Sequence, residues 1–338
     1  MKRNHIIIIF FLAAALYACS KDVVADAFAG FTRPEGFPEP AYHFASNPVT
    51  KEGFELGRKL FYDPILSADN TISCGSCHIQ TSAFTHHGHI VSHGIADRMG
   101  TRNSPPIMNM AWNRSFMWDG GIFDLDLQAI APITNHVEMD ETMDNVLKKI
   151  KASPSYPQLF SKAYGDPEIN GAKFLKALSQ FMLMCVSSNS HYDSVMRKQA
   201  VFTSTESKGY ILFAAKCGSC HKEPLFTDNS FRNNGLVPSL VNDEGRYLVT
   251  QKNEDRYRFK VPSLRNLAFT APYMHDGRFL TLDAVLDHYS NGIQASATLD
   301  ASLGAGISLT TDERSAILAF LNTLNDHVFV TNKLLSEQ

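Results

Sequence analysis

The chain has 338 residues with 31 basic and 34 acidic side chains, a net charge of −3, and 44% hydrophobic residues. A balance this near neutral offers no basic surface for nucleic acid, and the length is enough for two domains of ordinary size, each with its own core. The six cysteines are the feature that most needs explaining.

The chain opens with Met1-Lys2-Arg3-Asn4-His5 and an apolar run from Ile6 to Leu16, a basic n-region and an h-region too short for a stable membrane span. In Leu16-Tyr17-Ala18-Cys19-Ser20 small residues precede a cysteine, as at a bacterial lipoprotein cleavage site. Residues 1–18 therefore read as a lipoprotein signal peptide and Cys19 as the lipid-bearing first residue of the mature chain; ordinary signal cleavage beside an incidental cysteine is the alternative. Both readings put the protein in the periplasm or on an extracytoplasmic membrane surface.

After a proline-rich lead from Thr32 to Pro48, Phe54, Gly57, Leu60 and Phe61 have helical spacing that stops at Asp63-Pro64. Cys74-Gly75-Ser76-Cys77-His78 follows, and it recurs as Cys217-Gly218-Ser219-Cys220-His221. Each is a complete C-x-x-C-H haem attachment sequence, of which a random arrangement of these cysteines and histidines would give only about 0.004. The chemistry explains the spacing: two thiols add to the two vinyl groups of a haem, and the adjoining imidazole becomes the proximal iron ligand. A redox cysteine pair or half a zinc site would leave the histidine unexplained in both copies. The expectation is two covalent c-type haems, with His78 and His221 as proximal ligands.

From His78 to Trp118 periodicity is weak and Gly, Asn, Pro and His abound, which argues for a long loop wrapped over a cofactor. Helices return with Met143, Val146, Leu147 and Ile150, then with Phe174, Leu175, Leu178, Phe181, Met182 and Cys185, a stripe in which Cys185 reads as a core thiol. The polar run Ser187 to Ser190 marks a boundary. Thr203-x-x-Glu206 is a capping box opening a helix into the second haem motif, and Thr310-x-x-Glu313 opens the closing helix. Only Tyr247 to Phe259 suggests strands. The fold class expected is mainly α: two cytochrome c-like domains, residues 24–188 and 189–338, each with one covalent haem, and few short strands.

Several blocks resemble the bacterial dihaem cytochrome c peroxidases and their relative MauG. These are Leu56-Gly57-Arg58-Lys59-Leu60-Phe61-Tyr62-Asp63-Pro64, Thr101-Arg102-Asn103-Ser104-Pro105-Pro106, Phe116-Met117-Trp118-Asp119-Gly120, Val137-Glu138-Met139, Pro262-Ser263-Leu264-Arg265-Asn266 and Ala271-Pro272-Tyr273-Met274-His275-Asp276-Gly277. The resemblance implies that the first haem is peroxidatic, the second domain transfers electrons, and Glu138 is the acid/base residue. Heterolysis of an O–O bond needs a proton taken from the inner oxygen and given to the outer, which a carboxylate over an open iron face can do. On spacing alone Glu138 would read as a solvated acid near a helix start. Trp118 matches the tryptophan between the haems that relays electrons, where residue type alone would suggest core packing.

The resemblance further implies that His93 caps the resting first haem, although His86, His87 and His89 stand close by. It also implies that Asn103, with the carbonyls of Thr270 and Pro272, holds a calcium ion, a hard cation suited to oxygen ligands. The second haem's sixth ligand is open: Tyr289 matches the MauG tyrosine, Met274 is the rival expected of a peroxidase, and His275 and His288 remain. Leu282, Val285, Leu286 and Tyr289 share one helical face. Tyrosinate would stabilise ferric iron, whereas methionine would raise the potential.

The leading expectation is a dihaem c-type peroxidase that reduces hydrogen peroxide to water with electrons from a small periplasmic cytochrome c or cupredoxin. Alternatives are a MauG-like oxidase of a protein or small-molecule substrate, and a non-catalytic electron-transfer cytochrome in which His93 permanently blocks the first iron. The oligomeric state is open, a homodimer included.

Overall fold

The computed structural model describes residues 28–338, so the leader and Cys19 lie outside the described residues. Helix α1 (Lys51–Tyr62) starts where the Thr50 side chain accepts from the Gly53 N–H and stops at Asp63, ahead of Pro64, whose ring bars continuation. Helices α2 (Met143–Ala152) and α3 (Tyr156–Tyr164) lead to α4 (Gly171–Met184), which packs against α1 and is capped by the fully buried Cys185. The stretch from His78 to Trp118 contains no helix beyond short 3₁₀ turns, as expected of a long irregular segment.

In the second half, the capping box of Thr203 and Glu206 opens α5 (Ser204–Lys216), which runs directly into Cys217. Helix α6 (Leu282–Asp287) continues as a single π-helical stretch, His288–Gly292, and α7 (Thr311–Asn322) begins at the Thr310/Glu313 capping box. The only sheet among the described residues pairs Phe231–Arg232 with Phe259–Lys260, antiparallel. The strands expected over Tyr247 to Phe259 are therefore mostly absent. Tyr247–Thr250 is a helical turn, because Gly245 and Gln251 have left-handed backbone on either side of it and leave no straight run to pair.

Two hydrophobic cores result, one around α1 to α4 and one around α5 to α7, and they use the same device. A Cβ added at Gly57 of α1 would lie 1.9 Å from the Ala177 carbonyl oxygen of α4; one at Gly209 of α5 would lie 1.9 Å from that of Ala316 of α7. The helices cross so closely only because no side chain intervenes. One turn on, Phe61 and Phe213 are buried in the respective cores.

The repetition extends into the loops. Asn109 and Asn266 both adopt left-handed backbone and each precedes a short 3₁₀ turn. Met117 pairs with Met274, and Gly120 with Gly277, all at positive φ. The same length of chain separates every pair. The hydrogen bonds repeat too: the Asn103 N–H donates to the His275 carbonyl at 2.7 Å, and the Lys260 N–H donates to the Trp118 carbonyl at 2.7 Å.

The tail departs from the division expected at residue 189. Helix α8 (His327–Val330) and the residues after it pack on the first core through Phe329, Val330 and Leu335. Arg58 donates to the Leu334 carbonyl at 2.7 Å, and the Tyr62 hydroxyl to that of Leu335 at 2.8 Å.

Candidate active site

Each C-x-x-C-H segment presents its histidine in the same way. The Nδ1 of His78 donates to the Phe84 carbonyl at 2.7 Å, and the Nδ1 of His221 faces the carbonyls of Phe226 and Pro262 at 3.1 and 3.2 Å. A carbonyl can only accept, so the proton sits on Nδ1 and Nε2 keeps its lone pair for a metal. Burial lowers both imidazole pKa values, favouring the neutral form that ligates. Among the described residues no disulfide joins the cysteines of either segment.

A cavity of about 750 Å³ adjoins Cys77 and His78, and another of about 340 Å³ adjoins Cys217, Cys220 and His221. Each combines largely apolar walls with the histidine and at least one cysteine of its C-x-x-C-H segment, the donor set and surroundings that a c-type haem requires. Asn103, Trp118 and Lys260 line both cavities. Trp118 is held there by its indole N–H, which donates to the Asn103 carbonyl at 2.8 Å. Arg102 clamps the same loop, donating to Asp119 at 2.6 Å and to Asp243 at 2.6 and 2.9 Å.

Glu138 lines the first cavity with His78. It lies in the turn before α2, not in the helix, and the Asn135 amide donates to its carboxylate at 2.8 Å. Burial raises its pKa, against the lowering effect of that hydrogen bond, which suits a group that takes and returns a proton. The position is fixed tightly: the Ile95 N–H donates to the Glu138 carbonyl at 2.8 Å, and a Cβ at Gly94 would sit 2.4 Å from that same oxygen.

The structure does not bring the His93 side chain to this cavity. Its carbonyl accepts from the Cys77 thiol at 3.3 Å, but its Nδ1 turns to Asp97 at 3.1 Å. The ring joins His89 and His86, 4.6 and 6.0 Å away between centroids. Asn103, Thr270 and Pro272, by contrast, line one cavity together. The Asn103 amide nitrogen is engaged by the His89 and Ile90 carbonyls at 3.3 and 3.0 Å, leaving its oxygen as the group suited to a hard cation.

At the second cavity Tyr289, Met274 and His275 all face the space beside His221, together with Leu282, Val285 and Leu286. The shared helical face expected from the sequence is realised. Asn234 stands between the two rivals, its amide nitrogen 3.5 Å from the Tyr289 hydroxyl and 3.6 Å from the Met274 sulfur. Burial raises the tyrosine's pKa and the Asn234 bond opposes it. His288 is engaged elsewhere, its Nε2 at 2.9 Å from the Asn234 carbonyl, and His275 stacks on Phe259 at 3.7 Å. Sequence reasoning missed Asn135, Asn234 and Lys260. Only Asn135, three residues before Glu138, carried a local signal.

Known proteins resemble this chain over most of its length. The family model described as di-haem cytochrome c peroxidase matches residues 51–201. The methylamine utilization protein MauG of Methylorubrum extorquens is 35% identical over 322 residues, covering 92% of this chain and 88% of the relative. The cytochrome c551 peroxidase of Pseudomonas aeruginosa is 31% identical over 329 residues, covering 93% and 90%. Among solved structures, a MauG-like protein associated with microbial copper homeostasis superposes with a TM-score of 0.84 at 32% identity, covering 90% of this chain and 97% of that one. The chain belongs to the di-haem cytochrome c peroxidase family, which includes MauG, and is an oxidoreductase of that type with haem as its cofactor.

Proposed function

We propose that the protein is a dihaem c-type peroxidase that reduces hydrogen peroxide to water beside His78, with electrons entering through the second domain. The observation that carries this reading is Glu138, a carboxylate of raised pKa lining the same cavity as His78. A haem held by His78 would supply the redox-active iron for the reduction of peroxide. Glu138 takes the proton from the inner peroxide oxygen and returns it to the outer one, so that water can leave. Asn135 holds the carboxylate in place. His78 and His221 would hold the iron of the two haems, and the cysteine pairs Cys74/Cys77 and Cys217/Cys220 would anchor each haem as thioethers. Trp118, lining both cavities, carries electrons between them.

Asn103 with Thr270 and Pro272, which line one cavity, would hold a calcium ion. The donor is a small cytochrome c or cupredoxin, met outside the cytoplasm by a protein whose Cys19 is lipid-anchored; among the described residues no helix is long and apolar enough to cross a membrane.

A second reading, a MauG-like oxidase of a protein or small molecule, is favoured by Tyr289, which lines the second cavity beside His221. Anionic oxygen ligation would hold the second haem oxidised and make it a poor acceptor from a cytochrome. Mixing the haem-loaded protein with reduced cytochrome c and hydrogen peroxide separates the two. Peroxide-dependent oxidation of the donor at catalytic rates supports the peroxidase. A spectral response to peroxide without donor turnover supports the oxidase.

A further inference from the structure

Lys260 occupies a position that the site described so far does not use. Its side chain lines both cavities. Its ammonium donates to the Ser115 carbonyl at 3.0 Å, and among the described residues no carboxylate pairs with it. Burial alone lowers its pKa, to about 8, with no acid nearby to oppose the effect. A partly buried cation without a counter-charge is costly to hold.

The internal repeat shows what the position is equivalent to. Along the common chain spacing Lys260 corresponds to Asn103, and their backbone N–H groups make matching bonds to Trp118 and His275. By the same spacing Ser115 corresponds to Pro272, which lines the second cavity with Asn103. In one half, then, an asparagine and a proline line a cavity where the proposed calcium would sit. In the other, the Ser115 carbonyl is met by a tethered cation. The two-residue ladder that pairs Phe231 with Lys260 fixes the lysine backbone, so the charge is held at the wall between the cavities.

We infer that the Lys260 ammonium is a built-in cation at the junction of the two haem pockets, pairing with a haem carboxylate there and holding the potential of the neighbouring iron up. The inference rests on the two-haem reading above. A fixed positive charge disfavours the ferric state relative to the ferrous one, so its removal must move a midpoint potential in the negative direction.

The test is a spectroelectrochemical titration of the protein carrying both haems, as wild type, Lys260→Met, Lys260→Gln and Lys260→Arg. Met keeps the bulk without charge, Gln keeps a donor without charge, and Arg keeps the charge. The expected result is a negative shift of at least one midpoint potential in both uncharged variants, with Arg staying close to wild type. Should the Met variant fail to fold, Gln gives the same comparison. Unchanged potentials in the uncharged variants, or an Arg variant displaced as far as they are, would overturn the inference. A wild type that holds two haems but shows no lysine effect defeats this inference alone, whereas a wild type that holds none defeats the reading beneath it.

Discussion

The carbonyl of Phe84 accepts the Nδ1 proton of His78 at 2.7 Å, and Phe84 holds that carbonyl in place with left-handed backbone, φ 60°. Phe226 does the same for His221 from φ 55°. For a residue with a bulky side chain such a conformation costs on the order of 1 kcal/mol. Both phenylalanines are fully buried, and that packing sustains the strained backbone. The benefit falls on the imidazole, which is fixed in one tautomer with Nε2 free and made a stronger ligand by the hydrogen bond behind it.

The helix crossings are the most direct test of the fold. Gly57→Ala and Gly209→Ala each drive a methyl to within 1.9 Å of a carbonyl oxygen and should destabilise by about 1–3 kcal/mol or more. Gly171→Ala, whose nearest neighbour would be the Leu147 side chain at 4.0 Å, should be nearly neutral. Thermal denaturation of the three variants checks this, and a Gly209→Ala protein as stable as the wild type would contradict the packing.

Glu138 should reveal its burial through pH. Its folded pKa lies above the unfolded value of about 4.3, so the stability it contributes is complete below that value and is lost as pH rises through the folded pKa. Glu138→Gln cannot ionise and can still accept from Asn135. The variant should match the wild type near pH 4 and exceed it in denaturant midpoint at pH 8. Parallel stability curves across that range would show the carboxylate to be well solvated.

His93 is engaged by Asp97 and the neighbouring histidines, away from the first cavity. His93→Ala should therefore leave the electron paramagnetic resonance signals of the resting, haem-loaded protein unchanged. Conversion of a low-spin signal to a high-spin one in the variant would place the imidazole on the iron.

The sixth ligand of the second haem is separable by paired substitution. On the oxidase reading, Tyr289→Phe should abolish the low-spin signal of that haem and raise its potential, while Met274→Leu leaves both nearly as they were. The reverse pattern would make methionine the ligand and strengthen the reading of an ordinary electron-accepting haem.

Much of this was legible in the sequence because it rests on short-range rules. The C-x-x-C-H segments, the capping boxes at Thr203 and Thr310, and the stripe from Leu282 to Tyr289 each carry their meaning within a few residues. What the sequence did not disclose depends on chain segments meeting at a distance. The tail from His327 to Leu335 has an ordinary apolar pattern that does not say which core it joins. His93 has three histidines nearby, and only the fold shows which way its ring turns. Lys260 looks like any strand lysine until Ser115 and the two cavities surround it. The internal repeat does have a sequence signal: Asn109-Met110-Ala111-Trp112 beside Asn266-Leu267-Ala268-Phe269, and Met117-Trp118-Asp119-Gly120 beside Met274-His275-Asp276-Gly277.

The central claim is that Glu138 moves the proton when peroxide is cleaved beside His78. Rapid mixing of the haem-loaded protein with hydrogen peroxide, wild type against Glu138→Gln, measures it directly. The account predicts a fall of about 10²- to 10⁴-fold in the rate of the spectral change, with resting spectra unaltered. Equal rates in the two proteins would contradict it.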